Sequence, residues 1–127
     1  MKAVSGVVLD AGAWIAIESG DLRIRHALAL LKRTKTPLVT SAGVLAQIWR
    51  GGGGAQVPIA LVLARTEVVS LDAPDARTVG LLLGRSGTAD PIDAHVVKIA
   101  VTRNWPVWTS DPEDLLAIAP ELVVERV

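Results

Sequence analysis

Short apolar runs alternate with longer segments of helical periodicity along the whole chain, and this alternation constrains the fold most. Short β-branched runs bounded by turn residues are typical of buried strands, whereas apolar residues repeated every three to four positions are typical of helices. Strands that alternate with helices usually form a parallel sheet covered on both faces. The sequence therefore predicts an α/β fold, a three-layer α/β/α sandwich with a central parallel sheet of four to five strands.

The predicted strands and helices cover residues 1–127 without an internal repeat or a linker. Strands are predicted at residues 7–9, 37–40, 68–71, 106–109 and 122–127. Helices are predicted around 14–17 and at 22–33, 41–50, 56–64, 73–85, 90–103 and 112–119. Asp21, Ser41 and Asp72 stand where helix N-caps are expected. Gly51 to Gly54 lacks the Lys-Ser/Thr of a P-loop, so we expect a flexible connection there.

Composition limits the kinds of function that are open to this chain. It has 127 residues, of which 50% are hydrophobic, enough for one core but not for two ordinary domains. The absence of Cys excludes a disulfide framework, a thiolate zinc site and a cysteine nucleophile. The formal net charge is zero, which weighs against simple nucleic-acid binding more than against an enzyme.

The start of the chain bears on where the protein is found. Lys2 and the apolar residues after it suggest a signal peptide, but Asp10 interrupts the run before it reaches the required length. No apolar stretch approaches the roughly 18 residues of a membrane-spanning helix. We therefore expect a soluble, cytoplasmic protein without membrane contact.

Polar side chains follow three of the predicted strands. Asp10 comes directly after the first strand, Gln47 lies in the helix after the second, and Asp111 follows the fourth. Asp93 adds a carboxylate from the first turn of a helix. Because ligands of parallel sheets bind beyond the carboxyl ends of the strands, the sequence predicts a shared polar site at that edge. Converging carboxylates are typical ligands of hard divalent cations.

Each of these residues also has a simpler structural interpretation. Asp10 before Ala-Gly is typical of an Asx-turn. Asp111 and Asp90 each precede a proline, as helix N-caps often do. Gln47 suits an exposed helix surface or the rim of a cleft. Asp93 is harder to explain in this way because it flanks the apolar side of its helix.

Four segments in order resemble the PIN-domain family, and most of all the VapC-type toxins of bacterial toxin–antitoxin pairs. These segments are Val7-Val8-Leu9-Asp10 with Gly12 and Trp14, Ser41 to Arg50, Thr88 to His95, and Thr109 to Leu115. No single segment is specific, but together they span nearly the whole chain.

The resemblance implies a Mg²⁺- or Mn²⁺-dependent ribonuclease with a PIN-like sandwich. By position, Asp10, Asp93 and Asp111 correspond to the family's first, third and fourth acids. Gln47 stands where the second acid, usually Glu, is expected, and it brings an oxygen but no charge. Asp90, three residues before Asp93, is a candidate for the missing charge, and Ser110 for a hydrogen bond to bound water or phosphate. The resemblance also implies an RNA substrate, a small VapB-type antitoxin and a homodimer.

Three hypotheses follow from these residues. The first is a metal-dependent endoribonuclease that acts as the toxin of a type II toxin–antitoxin pair. The second is a catalytically weakened PIN-like protein that binds RNA or a partner, because Gln47 replaces the usual Glu. The third is another acidic-pocket sheet protein, such as a receiver domain or a phosphatase. Asp10 lacks a second acid at the next two positions, which counts against the third.

Overall fold

A computed structural model describes residues 6–127. Within this range five strands form one sheet in the order β3-β2-β1-β4-β5. The strands are β1 Val7–Leu9, β2 Leu38–Ser41, β3 Thr66–Val69, β4 Val107–Thr109 and β5 Val124–Arg126. All neighbouring strands are parallel. The predicted parallel sheet is confirmed, with five strands, and the interpretation of Lys2 lies outside the described residues.

Seven α-helices and one 3-10 turn connect the strands within residues 6–127. The helices are α1 Ala11–Ser19, α2 Leu22–Arg33, α3 Ala42–Ile48, α4 Val57–Leu63, α5 Ala73–Ser86, α6 Pro91–Arg103 and α7 Pro112–Ile118, and the 3-10 turn is Gly54–Gln56. The predicted caps are confirmed, since Asp21, Ser41 and Asp72 each accept a backbone N–H of the helix that follows. Helix α1 packs against α2, α3 and α4, and α6 packs against α5 and α7.

The third strand lies two residues earlier in the sequence than predicted. The apolar run predicts a strand at 68–71, but β3 spans Thr66–Val69. This strand lies at the edge of the sheet, where polar side chains reach solvent or a neighbouring helix. Glu67 is paired with both guanidinium nitrogens of Arg103 in α6, at 2.8 and 2.9 Å. A polar residue is therefore accommodated in the strand by a contact that sequence patterning does not show.

The segment between β2 and β3 also differs from its prediction. The helix expected at 56–64 is α4, which begins at Val57, and the 3-10 turn that ends at Gln56 precedes it. Helix α3 ends at Ile48, so Trp49 is no longer helical, and its ring packs over Gly52 so closely that a Cβ there would clash. Gly52 also has a φ of 76°, which favours glycine.

A buried polar link fixes the end of the central strand β1. The Thr40 hydroxyl donates to the Leu9 carbonyl at 2.7 Å and accepts the Trp14 indole N–H at 3.2 Å. All three side chains are fully buried. This link ties β1, β2 and α1 together around Asp10, through Leu9 before it and Trp14 after it. Within residues 6–127, no helix has the length and apolar character needed to cross a membrane.

Candidate active site

Asp10 is placed at the carboxyl end of the central strand. Its side chain is only 8% exposed. Oδ1 accepts the Ala11 backbone N–H at 2.8 Å, and Oδ2 accepts the Thr109 hydroxyl at 3.0 Å. Burial raises the pKa of Asp10, these two hydrogen bonds lower it, and the nearby charges of Asp90 and Asp111 raise it further. Asp10 is thus a buried, oriented carboxylate that faces other carboxylates.

Asp93 lies in the first turn of α6 and is half-buried. Burial is the main cause that raises its pKa to about 6, followed by repulsion from Asp90, Asp10, Asp114 and Asp111. Like charges raise a carboxyl pKa only when they lie close to it. The charges of Asp10, Asp90 and Asp111 therefore act on Asp93, and we call these four electrostatically coupled aspartates the acidic cluster.

Asp90 is the N-cap of α6 as well as a member of the acidic cluster. One of its oxygens, Oδ1, accepts the backbone N–H groups of Ile92 and Asp93 at 2.9 and 3.2 Å. Its charge raises the pKa of both Asp10 and Asp93. The capping interpretation of Asp90 is confirmed, and it does not exclude an electrostatic role.

Asp111 stands before α7, but its side chain does not cap that helix. The backbone N–H of Asp111 donates to the Thr109 hydroxyl at 3.0 Å, and the carboxylate is exposed. Capping therefore does not explain the Asp111 side chain. The exposed carboxylate is available to a ligand at the carboxyl edge of the sheet.

Two residues of this site were not predicted as members. Thr109 belongs to a segment that carries the family resemblance but is not a predicted site residue, yet its buried hydroxyl joins Asp10 to the backbone of Asp111. Asp114 contributes to the raised pKa of Asp93. Its spacing of three residues after Asp111, at the start of α7, is the sequence signal that could have identified it.

Ser110 is exposed and packs against the first turn of α1. A Cβ added at Gly12 would overlap the Ser110 side chain and backbone, so the two loops meet closely only because residue 12 is glycine. This contact joins the segment after β1 to the segment after β4. The segments that carry Asp10 and Asp111 are thereby held side by side.

Gln47 lies in the last turn of α3 and is exposed. It lines a cavity of about 480 Å³ together with Glu18, Arg50 and Ala11. Ala11 directly follows Asp10, but none of the four aspartates of the acidic cluster lines this cavity. The cleft-rim interpretation of Gln47 fits this position.

The donor set of the acidic cluster is suited to a hard cation. It consists of carboxylates, and their mutual repulsion is relieved by a bound positive charge. Among residues 6–127, no three His, Cys, Asp or Glu side chains are grouped tightly enough to enclose a metal ion. Mg²⁺ needs no such cage, because it is usually held by one or two carboxylates and keeps several waters.

This chain thus has a parallel α/β sheet with aspartates after its strands β1 and β4, which places it among α/β proteins with an acidic site at the carboxyl edge of the sheet. The sequence profile of the PIN domain matches residues 7–119. The chain therefore belongs to the PIN domain family. No curated protein sequence matches it.

Solved structures share this fold over nearly the whole chain. The structure of VapBC2 from Rickettsia felis bound to a promoter DNA fragment aligns with a TM-score of 0.73 and 20% identity, covering 95% of this chain and 98% of that one. DNA-bound VapBC from Salmonella typhimurium gives 0.69 and 24%, with 95% and 97% covered. VapC20 from Mycobacterium tuberculosis, a toxin that cleaves the sarcin-ricin loop, gives 0.65 and 22%, with 93% and 97% covered.

Proposed function

We propose that this chain is a Mg²⁺- or Mn²⁺-dependent endoribonuclease and the toxin of a type II toxin–antitoxin pair. The observation that carries this proposal is the cluster of Asp10, Asp93 and Asp111, in which burial and neighbouring carboxylates raise the pKa of Asp93 to about 6. Membership of the PIN domain family and the fold shared with VapC structures support it.

In this proposal Asp10, Asp93 and Asp111 hold the divalent cation. The cation, when bound, lowers the pKa of water and offsets the negative charge that develops on the phosphate. Thr109 holds one oxygen of Asp10 and thereby leaves the Asp10 carboxylate in one orientation. Asp90 adds negative charge beside Asp10 and Asp93, which compensates in part for the neutral Gln47. Ser110 directly precedes Asp111 and is exposed, so its hydroxyl is available to a phosphate oxygen or water.

RNA cleavage by the Asp93→Asn variant tests this assignment. The substitution keeps the shape of the side chain but removes the charge that binds the cation, so Mg²⁺-dependent cleavage of a labelled RNA should fall by at least about 100-fold. Asp72→Asn is the matched control, because Asn caps a helix as well as Asp does and Asp72, the N-cap of α5, lies outside the cluster. Wild-type cleavage by Asp93→Asn would show that the assignment is wrong.

Gln47 favours a second candidate, a PIN-like protein with weakened cleavage that acts by binding. The residue is neutral and lines the same cavity as Ala11, the residue that follows Asp10. The Gln47→Glu variant separates the two candidates when its cleavage rate is compared with that of wild type. A large gain in rate favours a weakened site, whereas an unchanged or lower rate shows that Gln47 belongs to a working site.

The proposed partner is a small antitoxin of the VapB type. Three apolar side chains on α1 and α4 are exposed, Ile15 by 59%, Val57 by 47% and Leu61 by 69%. These two helices pack together, and Ile15 lines the same cavity as Gln47. We infer that an apolar segment of the antitoxin covers them. Co-expression with the adjacent reading frame should give a complex that Leu61→Asp disrupts. Leu81→Asp, on the exposed side of α5 at 64%, is the control.

We also propose that the toxin is a homodimer, as the family resemblance implies. Light scattering coupled to size exclusion should give about twice the mass of one chain, 13.3 kDa. A mass of one chain at micromolar concentration would contradict this part of the proposal.

A further inference from the structure

Helix α2 and the turn after it carry a concentration of positive charge. Residues 22–35 contain no Asp or Glu and hold five of the 13 Lys and Arg side chains of the chain: Arg23, Arg25, Lys32, Arg33 and Lys35. All five are exposed. The ion pairs found among residues 6–127 involve other cations, so none of these five is paired with a carboxylate there.

Three of these cations share the outer side of α2. Successive helical residues are about 100° apart, so Arg25, Lys32 and Arg33 fall within about 100° of the helix circumference. We call these three residues the basic face of α2. Ile24 and Leu28 point into the core instead and are 3 and 5% exposed. The apolar side of α2 is therefore covered by the protein itself, whereas a helix that binds a membrane surface needs that side free.

Helix stability accounts for only part of this charge. The helix dipole stabilises cations in the last turn, where Lys32 and Arg33 lie. Arg23 and Arg25 lie near the positive end of the helix, where a cation gains nothing from the dipole, and the first turn contains no acidic residue. Asp21, four residues before Arg25, caps the helix with its carboxylate. A negatively charged ligand would account for cations that the fold does not need.

The proposed RNA substrate requires such a surface. Each nucleotide carries a negative charge, and the acidic cluster repels it except where a divalent cation is bound. The net charge of the chain is zero, so attraction for a polyanion has to come from a local concentration of cations. The unpaired cations of α2 form such a concentration.

The basic face lies within reach of a strand that is cleaved at the acidic cluster. Asp10 directly precedes α1, which has nine residues, and Asp21 follows its last residue by two positions. At a rise of about 1.5 Å per helical residue, Asp10 and the start of α2 are no more than about 25 Å apart. Roughly seven stacked nucleotides span this distance, at about 3.4 Å each. A single strand of about 20 nucleotides can therefore contact both.

We propose that the basic face of α2 binds the phosphate backbone of the RNA substrate, at nucleotides away from the cleaved bond. The proposal rests on the proposed ribonuclease function and adds a surface that holds the strand. Contacts to phosphates carry no sequence information, so this binding is independent of sequence and weakens as the salt concentration rises.

Salt-dependent binding tests the basic face without any cleavage. A fluorescein-labelled single-stranded RNA of about 20 nucleotides is titrated with the protein in EDTA at several KCl concentrations, and fluorescence anisotropy gives Kd. Each phosphate contact to a single strand contributes about 0.7 to the slope of log Kd against log salt, so Arg25→Gln/Lys32→Gln should lower this slope by about 1.4. At about 50 mM KCl the same variant should bind at least about tenfold more weakly.

Arg77→Gln/Arg85→Gln is the matched control. Both residues are exposed cations of α5, so this variant loses the same charge at a different place. It should keep the slope and the affinity of the wild type. Thermal unfolding should show that both double variants are folded as well as the wild type. An equal loss in the two variants, or no loss in Arg25→Gln/Lys32→Gln, would overturn the proposal.

Cleavage of the same RNA with Mg²⁺ separates the failure of the basic face from the failure of the ribonuclease function. Arg25→Gln/Lys32→Gln should raise KM and leave kcat within about twofold, because it removes binding that the ground state and the transition state share. Salt-dependent binding through α2 without any cleavage would keep the basic face and reject the ribonuclease function. Cleavage by a variant whose RNA binding is unchanged would reject the basic face alone. Loss of a co-purified protein partner from this variant, with RNA binding intact, would also overturn the proposal, because the surface would then belong to an acidic protein.

Discussion

At the scale of single residues, Thr109 couples two of the proposed metal ligands. Its buried hydroxyl donates to Asp10 and accepts from the backbone of Asp111. Thr109→Val keeps the shape but leaves a buried carboxylate oxygen and a backbone N–H without this partner, at a cost of about 1–3 kcal/mol in the free energy of unfolding. Residues that orient metal ligands typically change affinity or activity by about 10–100-fold, so we expect cleavage to fall in that range.

Thr109→Ser is the conservative comparison for this prediction because it retains the hydroxyl. Urea unfolding and the Mg²⁺ dependence of cleavage should both recover in Thr109→Ser. Wild-type behaviour of Thr109→Val, with the loss confined to Thr109→Ser, would show that the methyl group, and not the hydrogen bond, matters.

The sequence predicts the members of the acidic cluster better than the hydrogen bonds that hold them. Asp10 and Asp111 were located because strand ends and turn residues are local signals. Thr109 was underestimated because its bond to Asp10 joins residues 99 positions apart. The side chain of Asp111 was open to a capping interpretation because Pro112 permits a cap, and only the geometry shows that no such bond is formed.

At the scale of secondary structure elements, Gln56 holds the glycine-rich connection between α3 and α4. Its side chain is 7% exposed, accepts the N–H groups of Arg50 and Gly52 at 2.6 and 3.3 Å, and donates to the Ile48 carbonyl at 2.7 Å. Gln56→Ala removes all three bonds and should lower the free energy of unfolding by about 1–3 kcal/mol.

Gln47→Ala is the control for the Gln56 prediction, since Gln47 is exposed in α3, just before this connection. Surface substitutions usually change stability by no more than about 0.5 kcal/mol. Chemical denaturation of the two variants measures the difference. A Gln56→Ala variant as stable as Gln47→Ala would mean that the side chain does not hold this connection.

The order of the elements was predictable from periodicity, whereas several boundaries were not. Strands β1 and β4 are buried throughout and read clearly as apolar runs. Strand β3 is a partly exposed edge strand, so its apolar pattern is weak, and Glu67 within it pairs with Arg103 of α6. The course of the chain after α3 depends equally on Gln56, whose bonds reach back eight residues to Ile48.

At the scale of the whole molecule, a net charge of zero conceals a strong concentration of negative charge at one edge of the sheet. Asp93 titrates at about 6 in the fold, against an ordinary value of 3.8. The folded protein thus binds this proton more tightly than the unfolded chain does. The cost of ionising Asp93 is absent below pH 3.8, grows between pH 3.8 and 6, and is fully present above pH 6.

Asp93→Asn should therefore stabilise the metal-free protein at about pH 7.5, even though it removes a residue proposed to be catalytic. We expect Tm in EDTA to rise by at least ~2 °C, and this gain to shrink as the pH falls towards 4, where Asp93 of the wild type is itself protonated. Mg²⁺ should raise the Tm of the wild type, because binding to the folded state alone stabilises it, and should raise that of Asp93→Asn much less. Differential scanning fluorimetry across pH, with and without Mg²⁺, measures both effects.

Asp21→Asn should show neither, because Asp21 lies outside the cluster. A lower Tm for Asp93→Asn at pH 7.5 would contradict the repulsion that the fold imposes on Asp93, and equal Mg²⁺ responses would remove Asp93 from the metal ligands.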